Sequence, residues 1–257
     1  MVLSSICWRR GLNTTRTFIR NEAITISYKG NMGILINSTN TAILVDGLHE
    51  YYGPAYLNPP AVEVNKILQK QAPYTNLNLA LFTHYHRDHY SAKLTRDFLR
   101  SSSRRFVAGS PQVIDSLAAV QVINAWNRNG LLFKDSASEL SIYSFDVPHT
   151  GPQRHSKVQN IAYLVKFGKS RLLHIGDASI DLSLFKKLQV GMVDVMVVPI
   201  WFLMDEEGKE IIEHIKPHSV IATHISPGQQ NDVRKYKLSG IRTYFFTVIN
   251  QALIVKS

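Results

Sequence analysis

The chain of 257 residues is 45% hydrophobic, enough to bury the core of an α/β domain, and its only cysteine, Cys7, excludes an intramolecular disulfide. No apolar run reaches the ~18 residues that would indicate a transmembrane helix. The formal net charge of +10 favours anionic partners such as phosphates, nucleic acids or acidic membranes, although a solvated basic surface without a specific partner also accounts for it.

Residues 1–22 have a composition of their own, rich in Arg, Ser and Thr, with no acidic residue before Glu22. This composition is typical of an organellar targeting peptide and also of a disordered segment. We therefore expect residues 1–22 to be an N-terminal extension and residues 23–257 to form a single folded domain. The expected location is the cytoplasm, with an organelle as the alternative if the extension is a targeting peptide.

The apolar periodicity predicts a β-meander, then alternating helices and strands, then further strands, which favours a single α/β domain with sheets inside and helices outside. Ser110 and Pro111 form a helix start, and this helix is predicted to run to about Trp126. The predicted strands are 23–28, 33–37, 42–45, 79–83, 105–108, 141–145, 160–167, 171–175, 193–198, 219–223, 243–248 and 252–255, and the other predicted helices are 59–71, 91–100, 182–188 and 206–215.

Residues 84–89 read His-Tyr-His-Arg-Asp-His and directly follow a predicted buried strand. Three imidazoles and a carboxylate this close together are costly to bury for packing alone, because buried polar groups need partners and protonated imidazoles repel one another. A divalent metal resolves both problems, since neutral imidazole nitrogens and carboxylates are its natural ligands. At an extended strand end His84 and His86 face the same way, whereas Asp88 and His89 lie where the chain turns into a helix. The segment therefore predicts ligands for two adjacent metals.

Three later motifs complete a pattern: Val-Pro-His-Thr ending at Thr150, Ile-Gly-Asp-Ala ending at Ala178, and Ala-Thr-His ending at His224. Together with the first motif, and in this order, they resemble the signature of the metallo-β-lactamase superfamily over roughly residues 23–225. The resemblance implies an α/β fold, the four-layered αβ/βα metallo-β-lactamase sandwich, with the site at one edge between two sheets. It implies two divalent metal ions, with zinc expected and manganese or iron as alternatives. The implied ligands are His84, His86 and His149 for one metal, Asp88, His89 and His224 for the other, and Asp177 as the bridge.

The resemblance also implies a reaction, in which a hydroxide held between the metals attacks the substrate and Asp88 is the catalytic residue that orients it. Residues 28–33 and 43–47 look like a group of small hydrolases related to ascorbate-6-phosphate lactonase and to phosphodiesterase-like enzymes. We therefore expect a hydrolase that cleaves an ester, lactone or phosphodiester bond in a small anionic substrate. Asp177 stands where class B1 β-lactamases carry Cys, and His86 stands where flavodiiron proteins carry Glu. Antibiotic hydrolysis and oxygen reduction are both disfavoured on these grounds.

Four further residues are candidates for supporting roles. Asp46 matches a family position that supports the metal ligands from behind, although an Asp before Gly also caps turns. Arg87 lies between ligands and would meet an anionic substrate or pair with a carboxylate. His155 would touch the substrate from a loop, and Trp201 would line the mouth of the site. An exposed loop position for His155 and ordinary packing for Trp201 are the alternatives.

The remaining histidines carry less information. His174 precedes the Gly-Asp motif within a predicted strand, and we expect it to be structural. His49, His214 and His218 are expected at the surface or at helix ends.

Three other functions stay open at this point. A nuclease of the same fold would agree with the positive charge, so a nucleic-acid partner stays open beside the expected small molecule, although no long basic arm follows residue 21. A mononuclear iron enzyme such as a sulfur dioxygenase would need one metal, whereas seven intact ligand positions favour two. A binding protein without catalysis is disfavoured by the intact ligand set. The sequence leaves the oligomeric state open.

Overall fold

The computed structural model describes residues 23–256, so the predictions made for residues 1–22 lie outside the described residues. Within this part of the chain the strands are β1 (Ile24–Gly30), β2 (Gly33–Asn37), β3 (Ala42–Val45), β4 (Leu77–Leu81), β5 (Phe106–Gly109), β6 (Val122–Asn124), β7 (Gly130–Asp135), β8 (Leu140–Pro148), β9 (Gln159–Phe167), β10 (Ser170–His174), β11 (Val195–Pro199), β12 (Ser219–Thr223), β13 (Arg242–Phe245) and β14 (Ala252–Val255). The α-helices are α1 (Ala61–Leu68), α2 (Ala92–Arg100), α3 (Pro111–Ile114), α4 (Leu182–Phe185), α5 (Trp201–Met204) and α6 (Glu206–Ile215).

These strands form two seven-stranded sheets, with the orders β14-β1-β2-β3-β4-β5-β6 and β13-β12-β11-β10-β9-β8-β7. Alternate residues of a strand point to opposite faces, and the chain uses both faces of each sheet. In β3, Ile43 and Val45 join the core between the two sheets, whereas Leu44 packs beneath α1 and α2. The second sheet has an equivalent outer core beneath α4, α5 and α6. The arrangement is a four-layered αβ/βα sandwich, which confirms the predicted fold class.

The strand directions gather several chain segments at one edge of the sandwich. β3 and β4 are parallel neighbours in the first sheet, and in the second sheet β8, β10 and β12 all run the same way. The two sheets meet at this edge, where the Tyr163 hydroxyl donates to the Phe82 carbonyl at 2.9 Å and the Ile161 N–H donates to the Thr83 carbonyl at 2.9 Å. The loops that leave these strands at their C-terminal ends therefore lie side by side.

The prediction of a long helix from Ser110 to Trp126 is wrong. The helix α3 ends at Ile114, Ala118 adopts a left-handed φ of 49°, and the chain then pairs in parallel with β5 as the edge strand β6. Val122 and Ile123 are β-branched, and the open edge of β5 offers them backbone partners that a helix would not. The strand β7 is also absent from the sequence prediction.

The longest described helix has ten residues, and no helix in residues 23–256 is long and apolar enough to cross a membrane. The predicted cytoplasmic location stays a prediction.

A buried arginine ties the first sheet to its helices. Arg105 is fully buried, and its guanidinium donates to the Ile67 carbonyl at 2.6 Å and to the Leu68 and Phe98 carbonyls at 3.3 Å each. These carbonyls lie in the last turns of α1 and α2 and carry the negative end of the helix dipole. The Phe98 carbonyl also accepts from the Ser101 hydroxyl at 2.6 Å, and the Ile67 carbonyl from the Lys70 N–H at 3.4 Å. The guanidinium therefore holds the ends of both helices against β5.

We expect Arg105→Met to lower the free energy of unfolding by about 3 kcal/mol, because buried carbonyls lose a charged donor that the protein interior does not replace. Urea unfolding followed by circular dichroism measures this. The exposed neighbour offers a matched control, since Arg104→Met removes the same charge at the surface and should change stability by less than ~0.5 kcal/mol. Equal effects of the two substitutions would contradict the role given to Arg105.

Candidate metal centre

Seven histidine and aspartate side chains meet at the edge where the two sheets converge. They form two groups, and within each group the potential ligand atoms all lie within 4.8 Å of one another. All seven are side chains that the metallo-β-lactamase resemblance singles out. The first group is His84, His86 and His149, and the second is Asp88, His89, Asp177 and His224.

The first group consists of neutral imidazoles. Nε2 of His149 lies 3.3 Å from Nε2 of His84, and Nδ1 of His149 donates to the Thr150 carbonyl. Burial and the neighbouring imidazoles lower the pKa of His86 to about 4 and hold the pKa of His84 well below its usual value. Because Nδ1 of His149 carries the proton donated to Thr150, Nε2 of the neutral ring carries none. Unprotonated imidazole nitrogens that converge on one point are the donors that a divalent cation binds.

The second group combines carboxylates with imidazoles. Oδ2 of Asp88 lies 3.6 Å from Nε2 of His89 and 3.4 Å from Nε2 of His224. Burial favours the neutral imidazoles, but Asp177 and Asp88 outweigh it, raising the pKa of His224 to about 9 and that of His89 well above its usual value. Burial likewise favours protonated Asp88, but the imidazoles lower its pKa to about 2. Without metal, both imidazoles thus carry the positive charge that the carboxylates require.

Asp177 lies between the two groups. Its Oδ1 is 3.4 Å from Nε2 of His89, and its Oδ2 is 3.5 Å from Nε2 of His224 and 3.9 Å from Nε2 of His149. Oδ1 is buried and has no hydrogen-bond partner among the described residues. A buried carboxylate oxygen is costly unless a positive charge lies against it, which protonated His89 supplies without metal and a divalent cation would supply in its place. This donor set of imidazole nitrogens and carboxylate oxygens therefore fits divalent metals.

Asp46 sits behind the second group and fixes the orientation of a ligand. The fully buried carboxylate accepts hydrogen bonds from the Thr83 N–H at 2.8 Å and the Thr83 hydroxyl at 2.6 Å, and its Oδ2 lies 2.9 Å from Nδ1 of His89. An ionised carboxylate only accepts hydrogen bonds, so Nδ1 of His89 is the donor. Nε2 of His89 is thereby left to face Asp88 and Asp177.

The turn between β1 and β2 is a part of the site that the sequence reasoning missed. Asn31 is buried with a left-handed φ of 45°, and its Nδ2 donates to the backbone carbonyl of Asp88 at 3.1 Å and to Oδ2 of Asp88 at 2.9 Å. The Asn31 carbonyl in turn accepts from the backbone N–H of His224 at 3.0 Å. Asn tolerates a left-handed φ, so Gly30 and Asn31, between the predicted strands 23–28 and 33–37, were the available signal of a turn. The contacts of this turn with Asp88 and His224 were not visible in the sequence.

The glycine of the Gly-Asp motif permits a close approach of the two sheets. Gly176 has a φ of 58°, and a Cβ at this position would lie 2.5 Å from Oδ1 of Asn160 and 2.7 Å from Cβ of Thr83. Oδ1 of Asn160 accepts a hydrogen bond from the backbone N–H of Asp177 at 3.2 Å. A side chain at residue 176 would therefore push Asp177 away from the ligands of the first sheet.

Two of the residues predicted to contact the substrate border the metal-binding groups. The ring centroid of His155 lies 5.1 Å from that of His86 and 5.3 Å from that of His149. Trp201 lies on the other side of the site, with its ring centroid 4.9 Å from that of His224. Both side chains are partly exposed, so each combines contact with a ligand and access to solvent.

Arg87, the third residue predicted to contact the substrate, lines a surface recess. The recess has a volume of about 540 Å³ and is also lined by Tyr85, Lys93 and Glu50. No ion pair joins Arg87 to a carboxylate within residues 23–256. Tyr85, which also lines the recess, has its ring 5.1 Å from that of His86.

The two other histidines near the site have no ligand role in this geometry. His174 is fully buried, with Nε2 2.9 Å from the Met32 carbonyl, as a structural histidine would be. The prediction that His49 lies at the surface is wrong, because His49 is only 1% exposed. Its neighbour Leu48 pairs in parallel with Tyr90, which draws this segment beneath the loop of residues 84–91.

Comparisons with known proteins agree with this geometry. Residues 25–224, which include all seven side chains of the two groups, match the family described as the Beta-lactamase superfamily domain. Solved structures with the same fold include a metallo hydrolase from Ignicoccus hospitalis (15% identity, TM-score 0.64, covering 91% of this chain and 99% of that chain) and an isothiocyanate hydrolase from Delia radicum gut bacteria (12% identity, TM-score 0.65, covering 92% and 100%). A third is the diiron β-hydroxylase CmlA from Streptomyces venezuelae (14% identity, TM-score 0.60, covering 92% and 54%). No curated protein matches this chain.

The structural similarities, at such low identity, establish the fold, and the family match covers most of the chain. The convergent histidines and aspartates add a donor set that fits divalent metals. The chain therefore belongs to the β-lactamase superfamily and has the metallo-β-lactamase fold, with a donor set for divalent metals at the edge where its two sheets meet.

Proposed function

We propose that this chain is a hydrolase that uses two divalent metal ions to cleave an ester, lactone or phosphodiester bond in a small anionic substrate. The observation that carries the proposal is the place of Asp177, whose oxygens face His89 and His224 on one side and His149 on the other. A carboxylate placed in this way suits a bridge between two ions, which in two-metal hydrolases lie about 3.5–4 Å apart. The net charge of +10 and the recess beside Arg87 favour an anionic substrate.

In this proposal, His84, His86 and His149 hold one metal, Asp88, His89 and His224 hold the other, and Asp177 bridges them. Zinc suits a set of imidazoles and carboxylates in which no thiolate takes part. Manganese and iron bind the same ligands, so the identity of the metal has to be determined by measurement. Bound in this way, the metals would lower the pKa of a water molecule toward neutrality and polarise the bond to be cleaved.

Asp88 is the proposed catalytic residue. Its Oδ2 accepts a hydrogen bond from Asn31, whereas no hydrogen bond between described residues engages its Oδ1. Because the pKa of the Asp88 carboxyl is lowered to about 2, the group is ionised at neutral pH and accepts hydrogen bonds from donors. Oδ1 is therefore available to orient the attacking water, while Asn31 keeps the carboxylate from rotating.

Two alternatives differ in chemistry and share the fold. A nuclease is favoured only by the net charge of +10, and it would bind RNA or DNA with a strong dependence on salt. A mononuclear iron oxygenase would need only one of the two groups described above. The experiments below give a different result for each of them.

Protein purified without chelator should contain about two equivalents of divalent metal, expected to be zinc, by plasma mass spectrometry. His86→Ala and His224→Ala should each retain about one equivalent, because each substitution removes a ligand from one group only. His218→Ala, a surface histidine paired with Asp194, is the control and should leave the content unchanged. One equivalent of iron would support the oxygenase, and the absence of metal after reconstitution would overturn the proposal.

The role of Asp46 predicts an effect on metal affinity rather than on folding. Asp46→Asn keeps the shape of the side chain but presents an amide N–H to Nδ1 of His89, which shifts the proton of the neutral imidazole to Nε2. We expect the second metal to bind about 10–100-fold more weakly, measured by competition with a chromophoric chelator. The surface pair of Asp194 and His218 has a similar contact at 3.0 Å, so Asp194→Asn is the matched control. Equal metal affinity in both variants would contradict the role of Asp46.

Metal-loaded protein should hydrolyse at least one of three probes, namely bis-p-nitrophenyl phosphate, phenyl acetate and γ-butyrolactone. Asp88→Asn should lower kcat by about 10²–10⁴-fold because the attacking water loses the ionised group that orients it. Asp97→Asn on the surface of α2 should leave kcat unchanged. Full activity in Asp88→Asn would remove Asp88 from the mechanism. Salt-sensitive cleavage of RNA without hydrolysis of the three probes would favour the nuclease.

A further inference from the structure

We propose that Tyr56 and Trp201 form an aromatic subsite beside the second metal-binding group, which selects substrates that carry a planar aromatic or heteroaromatic ring next to the bond that is cleaved. The inference rests on the proposed function, because it places the ring of the substrate next to the bond that the proposed hydrolase cleaves. Its test does not depend on catalysis.

The subsite begins with the position of His224 between two larger rings. The Trp201 centroid lies 4.9 Å from that of His224 at an interplanar angle of 67°, and the Tyr56 centroid lies 5.7 Å away at 74°. Both rings therefore meet the imidazole edge to face and are themselves partly exposed. Aromatic rings in this arrangement offer edges and faces to a third ring, which they bind better than an aliphatic group of the same area.

The polar atoms of the two rings have no hydrogen-bond partner among the described residues. No hydrogen bond between described residues engages the Tyr56 hydroxyl, and the indole Nε1 of Trp201 has no partner among them although it is buried. A phenol is neutral at pH 7, so the hydroxyl can donate a hydrogen bond to an anionic or carbonyl oxygen of the substrate.

The loop that carries Tyr56 is firmly attached to the site. A Cβ on Gly30 would lie 2.5 Å from the Leu57 carbonyl oxygen, so the loop packs directly on the backbone of the β1–β2 turn. Nδ2 of Asn58 donates to the Tyr56 carbonyl at 2.8 Å, and the Tyr56 N–H donates to the Gly53 carbonyl at 3.2 Å. Tyr56 is thus held next to the turn that fixes Asp88 and His224, as a residue that positions substrate has to be.

The aromatic subsite predicts a preference that can be measured with unreactive ligands. Phenylphosphonate and methylphosphonate offer the same anionic group to the metals and differ in the ring. Isothermal titration calorimetry on metal-loaded protein should show that phenylphosphonate binds at least about tenfold more tightly, which corresponds to about 1.4 kcal/mol. In Trp201→Leu this ratio should fall to about twofold, with the affinity for methylphosphonate and the metal content unchanged. Tyr56→Leu should lower the ratio in the same way and, because it also removes the hydroxyl, should weaken methylphosphonate binding about 3–10-fold.

Two further variants test the hydroxyl and provide a control. Tyr56→Phe keeps the ring, so the ratio should persist while both phosphonates bind about 3–10-fold more weakly. Phe106→Leu removes an exposed aromatic ring at the start of β5, outside both the subsite and the recess beside Arg87, and should change neither affinity.

Equal binding of the two phosphonates by the unaltered protein would overturn the subsite, as would a ratio that survives both Leu variants or the failure of phenylphosphonate to bind. These outcomes are distinct from those of the proposed function. Protein that discriminates between the phosphonates but hydrolyses none of the three probes retains the subsite and loses the proposed reaction. Protein that hydrolyses a probe without discriminating between the phosphonates retains the reaction and loses the subsite.

Discussion

The buried negative charges of Asp88 and Asp177 are the constraint on which the rest of the site depends, since two carboxylates removed from water need positive charge within a few ångströms. Without metal, His89 and His224 supply it, because both imidazoles hold protons more tightly than usual. A metal in this group has to displace those protons. The first group consists of imidazoles that are already neutral near pH 7, so proton competition is weaker there. The two positions therefore differ in how strongly their metal affinity depends on pH.

The second constraint is that the donors come from both sheets. Asp88 and His89 follow β4 in the first sheet, whereas Asp177 and His224 follow β10 and β12 in the second. The second group thus exists only after the sandwich has closed, and any metal it binds stabilises the contact between the sheets. Gly176 shows how tight that contact is, since a single added Cβ would collide with atoms of both sheets.

The sequence predicted most clearly what is encoded within short segments. The helix Glu206–Ile215 and the strand Ser219–Thr223 agree with the prediction at both ends, because period and caps are local signals. The long helix after Ser110 failed because pairing with the open edge of β5 outweighed local propensity. Asn31 and Tyr56 escaped notice for a related reason. Each acts on residues far away in the chain, through a turn and a loop whose conformations no periodicity reveals.

The loop of residues 52–58 is connected to the second metal-binding group through contacts with the β1–β2 turn. The loop packs on Gly30, and the next residue, Asn31, holds both the Asp88 carboxylate and the His224 backbone. A substitution that shifts the loop backbone is therefore transmitted through two residues of backbone to the second metal-binding group. Truncation of the Tyr56 side chain alone leaves that backbone in place, so the two kinds of substitution should affect metal affinity differently.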